Sequence, residues 1–196
     1  SMSGPRETEI NDQAELLWAP SVARLTQSRL RDFMGYLETQ GQGSFDDYDT
    51  LHQFSVTQRE HFWSALWDYT DIVAEQKGAV IAENSDTFPC QPDAGVRWFP
   101  EARLNFAENL LRYRDDRPAL ISRLENGQRR VVTYKQLYAN VAALAASLRA
   151  LGVGPGDRVA GFMPNVIETV EAMLATTSLG AIWSSCSPDF GINGVL

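Results

Sequence analysis

The chain has 196 residues, 44% of them apolar, and a formal net charge of −8. That length suits one domain or one and a half, with enough apolar content for a core. The acidic balance argues against nucleic-acid binding, no apolar run reaches the roughly 18 residues of a membrane span, and two cysteines, two histidines and no CxxC give no basis for a zinc site. A reduced, cytoplasmic protein is the expectation.

Ser1-Met2 reads as a processing scar, and residues 1–20 form an irregular segment ending in Trp18-Ala19-Pro20. Ser21 suits a helix N-cap. Val22, Leu25, Phe33, Met34 and Leu37 then follow helical spacing up to Gly41, which predicts one helix. Residues 41–50 read as a loop. Ser55 and Gln58 predict a capping box, followed by a stripe of Phe62, Trp63, Leu66, Trp67 and Val73 that is read as core. Between Ala82 and Trp98 the prolines Pro89 and Pro92 and Gly95 predict an extended wrapping segment rather than a strand or helix. Glu101 to Leu111 reads as a short helix or turn. Residues 21–112 are thus assigned to a helical N-terminal region.

From residue 113 to 196 the pattern becomes α/β. Ala119–Ser122 and Arg130–Tyr134 are strand candidates around Glu125-Asn126-Gly127. Thr133 and Gln136 predict a capping box for a helix carrying Leu137, Val141, Leu144, Leu148 and Leu151, closed by Gly152. Arg158–Met163 is a strand. Asn165 is expected to cap the next helix, with Glu168 in its first turn, Val170, Met173 and Leu174 inward, and Gly180 at its end. Ala181–Ser185 is the following strand. Strand, helix, strand over Arg158–Ser185 predicts a parallel βαβ unit with a right-handed crossover. Ligands of open α/β sheets bind beyond the carboxyl ends of strands, so the loop Ser187–Phe190 becomes the candidate ligand-side segment. Two parallel strands and a hairpin do not complete a covered α/β layer, so this part is expected to be truncated.

Several motifs invite a different chemistry. Asp189-Phe190-Gly191 spells the metal-binding tripeptide of protein kinases, but no Gly-rich loop, strand lysine or HRD stretch precedes it. Cys186 as a nucleophile needs a basic partner, and His52 and His61 lie in the helical part. Gly152–Gly156 closes a helix and opens a strand, the reverse of a dinucleotide loop, and no GxxxxGK[ST] occurs.

The run Leu151–Gly180 (LGVGPGDRVAGFMPNVIETVEAMLATTSLG) resembles the opening of the adenylate-forming superfamily of acyl-CoA synthetases. Trp98-Phe99, Leu104-Asn105, Asn109 and Thr133–Leu137 resemble motifs of its acetyl-CoA synthetase branch. The ending Leu179–Gly191, with Leu17–Ser21 and the Phe62-Trp63, Trp67-Asp68 pattern, resembles the acetoacetate-activating members. The resemblance implies a reaction of ATP, acetoacetate and CoA through an acyl-adenylate, assisted by Mg²⁺. It also places Ser187, Pro188 and Asp189 in a loop beside the CoA nucleotide. The superfamily's phosphate loop, ribose-binding aspartate and catalytic lysine have no counterpart within residues 1–196, so no catalytic and no metal residue is assigned. The piece alone is expected to be inactive, to hold no cofactor tightly, and to self-associate through exposed apolar surface. Two alternatives remain at this point: a synthetase for acetate or propionate, and a non-enzymatic interaction module.

Overall fold

The computed structural model describes residues 15–85 and 95–196. The expected scar at Ser1-Met2 and the prolines Pro89 and Pro92 of the expected extended segment lie outside them. Contacts divide the chain into one compact unit up to Tyr69 and a second from Thr70 on.

The first unit is helical: α1 (Val22–Thr26), α2 (Arg29–Thr39), α3 (Tyr48–Thr57) and α4 (Arg59–Tyr69). Ser21 caps α1, accepting from Arg24 N–H at 3.2 Å. The single helix expected up to Gly41 is broken at Ser28. Its hydroxyl donates to Leu25 O at 2.9 Å and accepts from Arg31 N–H at 3.1 Å, closing α1 and opening α2. The cap expected at Ser55 is also displaced. The reciprocal capping box is Asp47 with Thr50, where Thr50 N–H reaches Asp47 Oδ1 at 2.9 Å. Ser55 lies within α3 and donates to His52 O instead. The core gathers Phe33, Met34, Leu37, Phe45, Leu51, Phe54 and Ala65, with Phe62, Leu66 and Tyr69 packed against it. Of the aromatic stripe, Phe62 meets Phe33 edge-on at 5.8 Å between ring centroids, whereas Trp63 is 42% exposed. Val73 falls beyond α4.

The second unit begins with β1 (Ala82–Glu83) and β2 (Arg97–Trp98), a two-residue antiparallel pair at the ends of the segment expected to be wholly extended. Next come α5 (Phe106–Leu110), β3 (Pro118–Arg123), β4 (Arg129–Thr133), α6 (Tyr134–Ala150), β5 (Arg158–Phe162), α7 (Ile167–Ser178), β6 (Ile182–Cys186) and α8 (Ile192–Val195). β3 and β4 form the expected antiparallel hairpin, and β5 and β6 pair in parallel, with Val159 opposite Trp183 and Gly161 opposite Ser185. Residues 70–112, which the sequence assigns to the helical region, belong to this unit.

Its core joins Ala107 and Leu111 near α5, Val132 of β4, Leu137, Val141 and Ala145 of α6, and Ile167, Leu174 and Ala175 of α7. The capping box at Thr133 and Gln136 forms as expected. Gly152 and Gly180 follow α6 and α7 at φ 91° and 72°, the left-handed geometry that ends a helix cheaply only with glycine. The lead into β3 is held by charge: Arg117 grips Asp115 with two guanidinium bonds of 2.8 Å. Those bonds, and then the Arg117 backbone N–H, hold the Asp115 carboxyl down to about 2.

The asparagines of the Leu104–Asn109 motif act as clamps. Asn105 caps α5 through Glu108 N–H at 3.1 Å and donates to Thr177 O of α7 at 2.9 Å. Asn109 imitates a strand partner for Val73, accepting from its N–H at 2.8 Å and donating to its C=O at 2.9 Å. Replacing Asn109 by Ala strips both backbone groups of their partners. We expect a loss of about 2 kcal/mol in chemical denaturation, with Asn109→Asp intermediate because it keeps only the acceptor.

Candidate functional site

Because β5 and β6 run parallel, the loops that follow them emerge at the same end of the pair. The first is Met163-Pro164-Asn165. Here the expected cap at Asn165 is corrected: the N-cap of α7 is Val166, with no side-chain bond. Val166 N–H and the Thr169 hydroxyl both donate to Pro164 O, at 2.9 and 2.7 Å, so the chain turns into the helix one residue after Asn165. Glu168 does lie in the first turn. Arg130 of β4 donates to it at 2.6 Å, and that bond, followed by a backbone one, lowers the Glu168 carboxyl below its ordinary value. Helix N-terminus and carboxylate are thus mutually favourable.

The second loop holds the three predicted residues. Ser187 is half-buried; Pro188 and Asp189 are exposed. The Ser187 hydroxyl donates to Asp189 Oδ2 at 2.9 Å and accepts from Asp189 N–H at 3.3 Å. Phe190 N–H donates to Ser187 O at 3.1 Å, closing a four-residue turn with Pro188 at its second position, where its fixed φ fits. The structure therefore brings Ser187 and Asp189 into direct contact. The two loops are coupled as well: Met163 N–H donates to Cys186 O at 3.2 Å, extending the ladder one step past β5.

Cys186 is a free thiol at the end of β6, while both histidines are in α3 and α4 of the first unit. Among the described residues no three His, Cys, Asp or Glu gather as a metal would require, and no helix is long and apolar enough to cross a membrane. One feature escaped the sequence reading. A Cβ on Gly161 would lie 2.7 Å from Trp183 Cη2 and 3.2 Å from Met163 Sδ, so this glycine is a notch filled by the indole.

Residues 106–195 match the model of the AMP-binding enzyme family, and residues 48–110 match that of the acetyl-coenzyme A synthetase N-terminus. Together the two matches run from residue 48 to residue 195. Similar proteins include an acetoacetyl-coenzyme A synthetase of Rhizobium meliloti (strain 1021), 45% identical over 92% of this chain, and one of Xenopus tropicalis, 40% identical over 94%. Another is a malonamoyl-CoA synthetase of Penicillium aethiopicum, 39% identical over 97% of the chain. The solved acetoacetyl-CoA synthetase from Streptomyces lividans superposes with a TM-score of 0.84 at 40% identity, over 93% of this chain and 28% of that one. The chain spans only about a quarter of the length of the curated relatives, 27% of the first two. The mixed helix-and-strand architecture is that of the front of an adenylate-forming enzyme.

The Arg130–Glu168 contact gives a titration test. A carboxyl lowered in the folded state contributes stability above its ordinary pKa and loses it as pH falls through the lowered value. Arg130→Gln is expected to raise the Glu168 pKa toward the ordinary glutamate range, read by carboxyl ¹³C shifts. It should also flatten the acid side of the stability profile.

Proposed function

We propose that residues 1–196 are the front part of a cytoplasmic acid–thiol ligase of the AMP-forming type whose acid is acetoacetate. The observation that carries this reading is the match to acetoacetyl-CoA synthetases over more than nine-tenths of the chain, in sequence and in fold. The reaction is two displacements. A carboxylate oxygen of acetoacetate attacks the α-phosphorus of ATP and pyrophosphate leaves. The CoA sulfur, its proton lost, then attacks the acyl carbon and AMP leaves, giving acetoacetyl-CoA. A carboxylate resists nucleophiles until its oxygen becomes part of a good leaving group, and adenylation supplies that. Mg²⁺ would offset phosphate charge during the first step. Among the described residues no three His, Cys, Asp or Glu gather to hold it.

Within this reading Ser187, Pro188 and Asp189 form a CoA-side loop, and no residue of the chain is catalytic. A second reading keeps the chemistry and changes the acid. It is favoured by one observation: a relative 39% identical over 97% of the chain is a malonamoyl-CoA synthetase.

The test is CoA-dependent AMP release by the longer protein, with acetoacetate, acetate, propionate and malonamate in parallel. Preference for acetoacetate of about tenfold or more in kcat/KM is expected, the discrimination that about 1.4 kcal/mol of transition-state binding provides. Preference for another acid transfers the reading to that acid. Residues 1–196 alone are expected to release no AMP.

The piece alone is also expected to self-associate. Phe162 and Ile182 lie on one face of the β5–β6 pair at 60% and 52% exposure, and a parallel sheet is stable when both faces are covered. Sedimentation of residues 1–196 should show dimers or larger species, shifted toward monomer by Phe162→Asp.

A further inference from the structure

We propose that Trp183, seated in the notch of Gly161, is the positioning residue for the loop Ser187–Asp189. The inference rests on the CoA-side reading of that loop for its functional half, and on geometry alone for its structural half.

Gly161 has no conformational need to be glycine, since it lies in regular strand and has no positive φ. What requires glycine is the neighbour. Gly161 and Trp183 are diagonal neighbours on one face of the parallel pair, because Val159 is opposite Trp183 and Gly161 opposite Ser185. The rim of the indole lies so close that a Cβ would sit 2.7 Å from Cη2 and 3.1 Å from Cζ2. The approach leaves no room for a Cβ unless the indole moves. Met163 Sδ borders the same notch at 3.2 Å, and Met163 is also the residue whose N–H holds Cys186 O. Cys186 in turn precedes Ser187. One cluster of Trp183, Gly161 and Met163 therefore sits under both ligand-side loops and sets their relative register. The loop's own bonds, Ser187 with Asp189 and Phe190, fix its internal shape but not its attachment to the sheet. The notch supplies the attachment.

The role separates from ordinary core packing by where its loss is felt. Trp183 is half-buried and lies outside the apolar cluster that α6 and α7 build. Its replacement by Phe removes the outer ring from the notch while leaving an aromatic side chain on β6. Hydrogen exchange on the chain itself reads the result. Trp183→Phe is expected to speed exchange of the Asp189 and Phe190 amides about tenfold, with α6 and α7 amides within about twofold of the parent. Gly161→Ala should do the same by expelling the indole. Combined with Trp183→Phe it should add little, since the two nearest atoms it would strike, Cη2 and Cζ2, are gone and only the flexible end of Met163 remains close. Unchanged loop exchange, or a uniform rise across the unit, overturns the proposal, and so does full additivity of the two substitutions.

The functional half is read in the longer protein. Trp183→Phe is expected to raise the KM for CoA about tenfold more than the KM for ATP. Equal effects on both overturn the link to CoA. A parent that activates no acid overturns the ligase reading, while the exchange result still decides the positioning role.

Discussion

The second unit depends on the burial of one helix. Two parallel strands cannot be joined by a tight turn, so β5 and β6 can pair only if the segment between them crosses over and packs back on the unit. α7 does this with Ile167, Leu174 and Ala175, which enter the same core as Leu137, Val141 and Ala145 of α6. Asn105 adds a polar tie by donating to the carbonyl of Thr177, near the end of α7. Once α7 is docked, the strand pair is set. The loops after β5 and β6 are then obliged to emerge together, which places Ser187, Pro188 and Asp189 beside Met163–Asn165.

What the sequence disclosed followed from the range of its interactions. The Thr133–Gln136 capping box involves side chains three residues apart, and it forms as expected. The parallel unit was legible because strand and helix periods alternate within thirty residues and glycine marks the helix ends. The cap at Ser55 was misplaced because Asp47 and Thr50 offer a reciprocal pair earlier in the chain, with Tyr48 starting the helix before Ser55 is reached. Asn165 had the right chemistry one residue too early, since Pro164 directs the turn through its carbonyl. The clamp between Asn109 and Val73 spans 36 residues and the notch between Gly161 and Trp183 spans 22. Neither leaves a local pattern, and in the sequence Gly161 is simply a weak strand residue. The loop itself could be located from its place after a strand, but the bond between Ser187 and Asp189 could not be read from residue types alone.

Residue type also misleads at this loop in a second way. An aspartate followed by Phe-Gly suggests a metal ligand, and an aspartate beside a nucleotide loop suggests a charged contact. Asp189 is engaged with the Ser187 hydroxyl instead. Its part in the loop is conformational: the carboxylate accepts from the Ser187 hydroxyl and the Asp189 N–H donates back to that oxygen, tying the turn.

Shape then becomes the quantity under constraint. A loop of two exposed residues and one half-buried residue has little packing of its own to place it. The placing must come from the strand it leaves. β6 ends in Cys186, held by Met163 N–H, and Trp183 is seated against Gly161 three residues earlier along the same strand. A side chain at position 161 would move the indole and, through Met163, both loop origins together. The notch therefore joins a packing requirement in the sheet to the geometry of the proposed ligand-side loop.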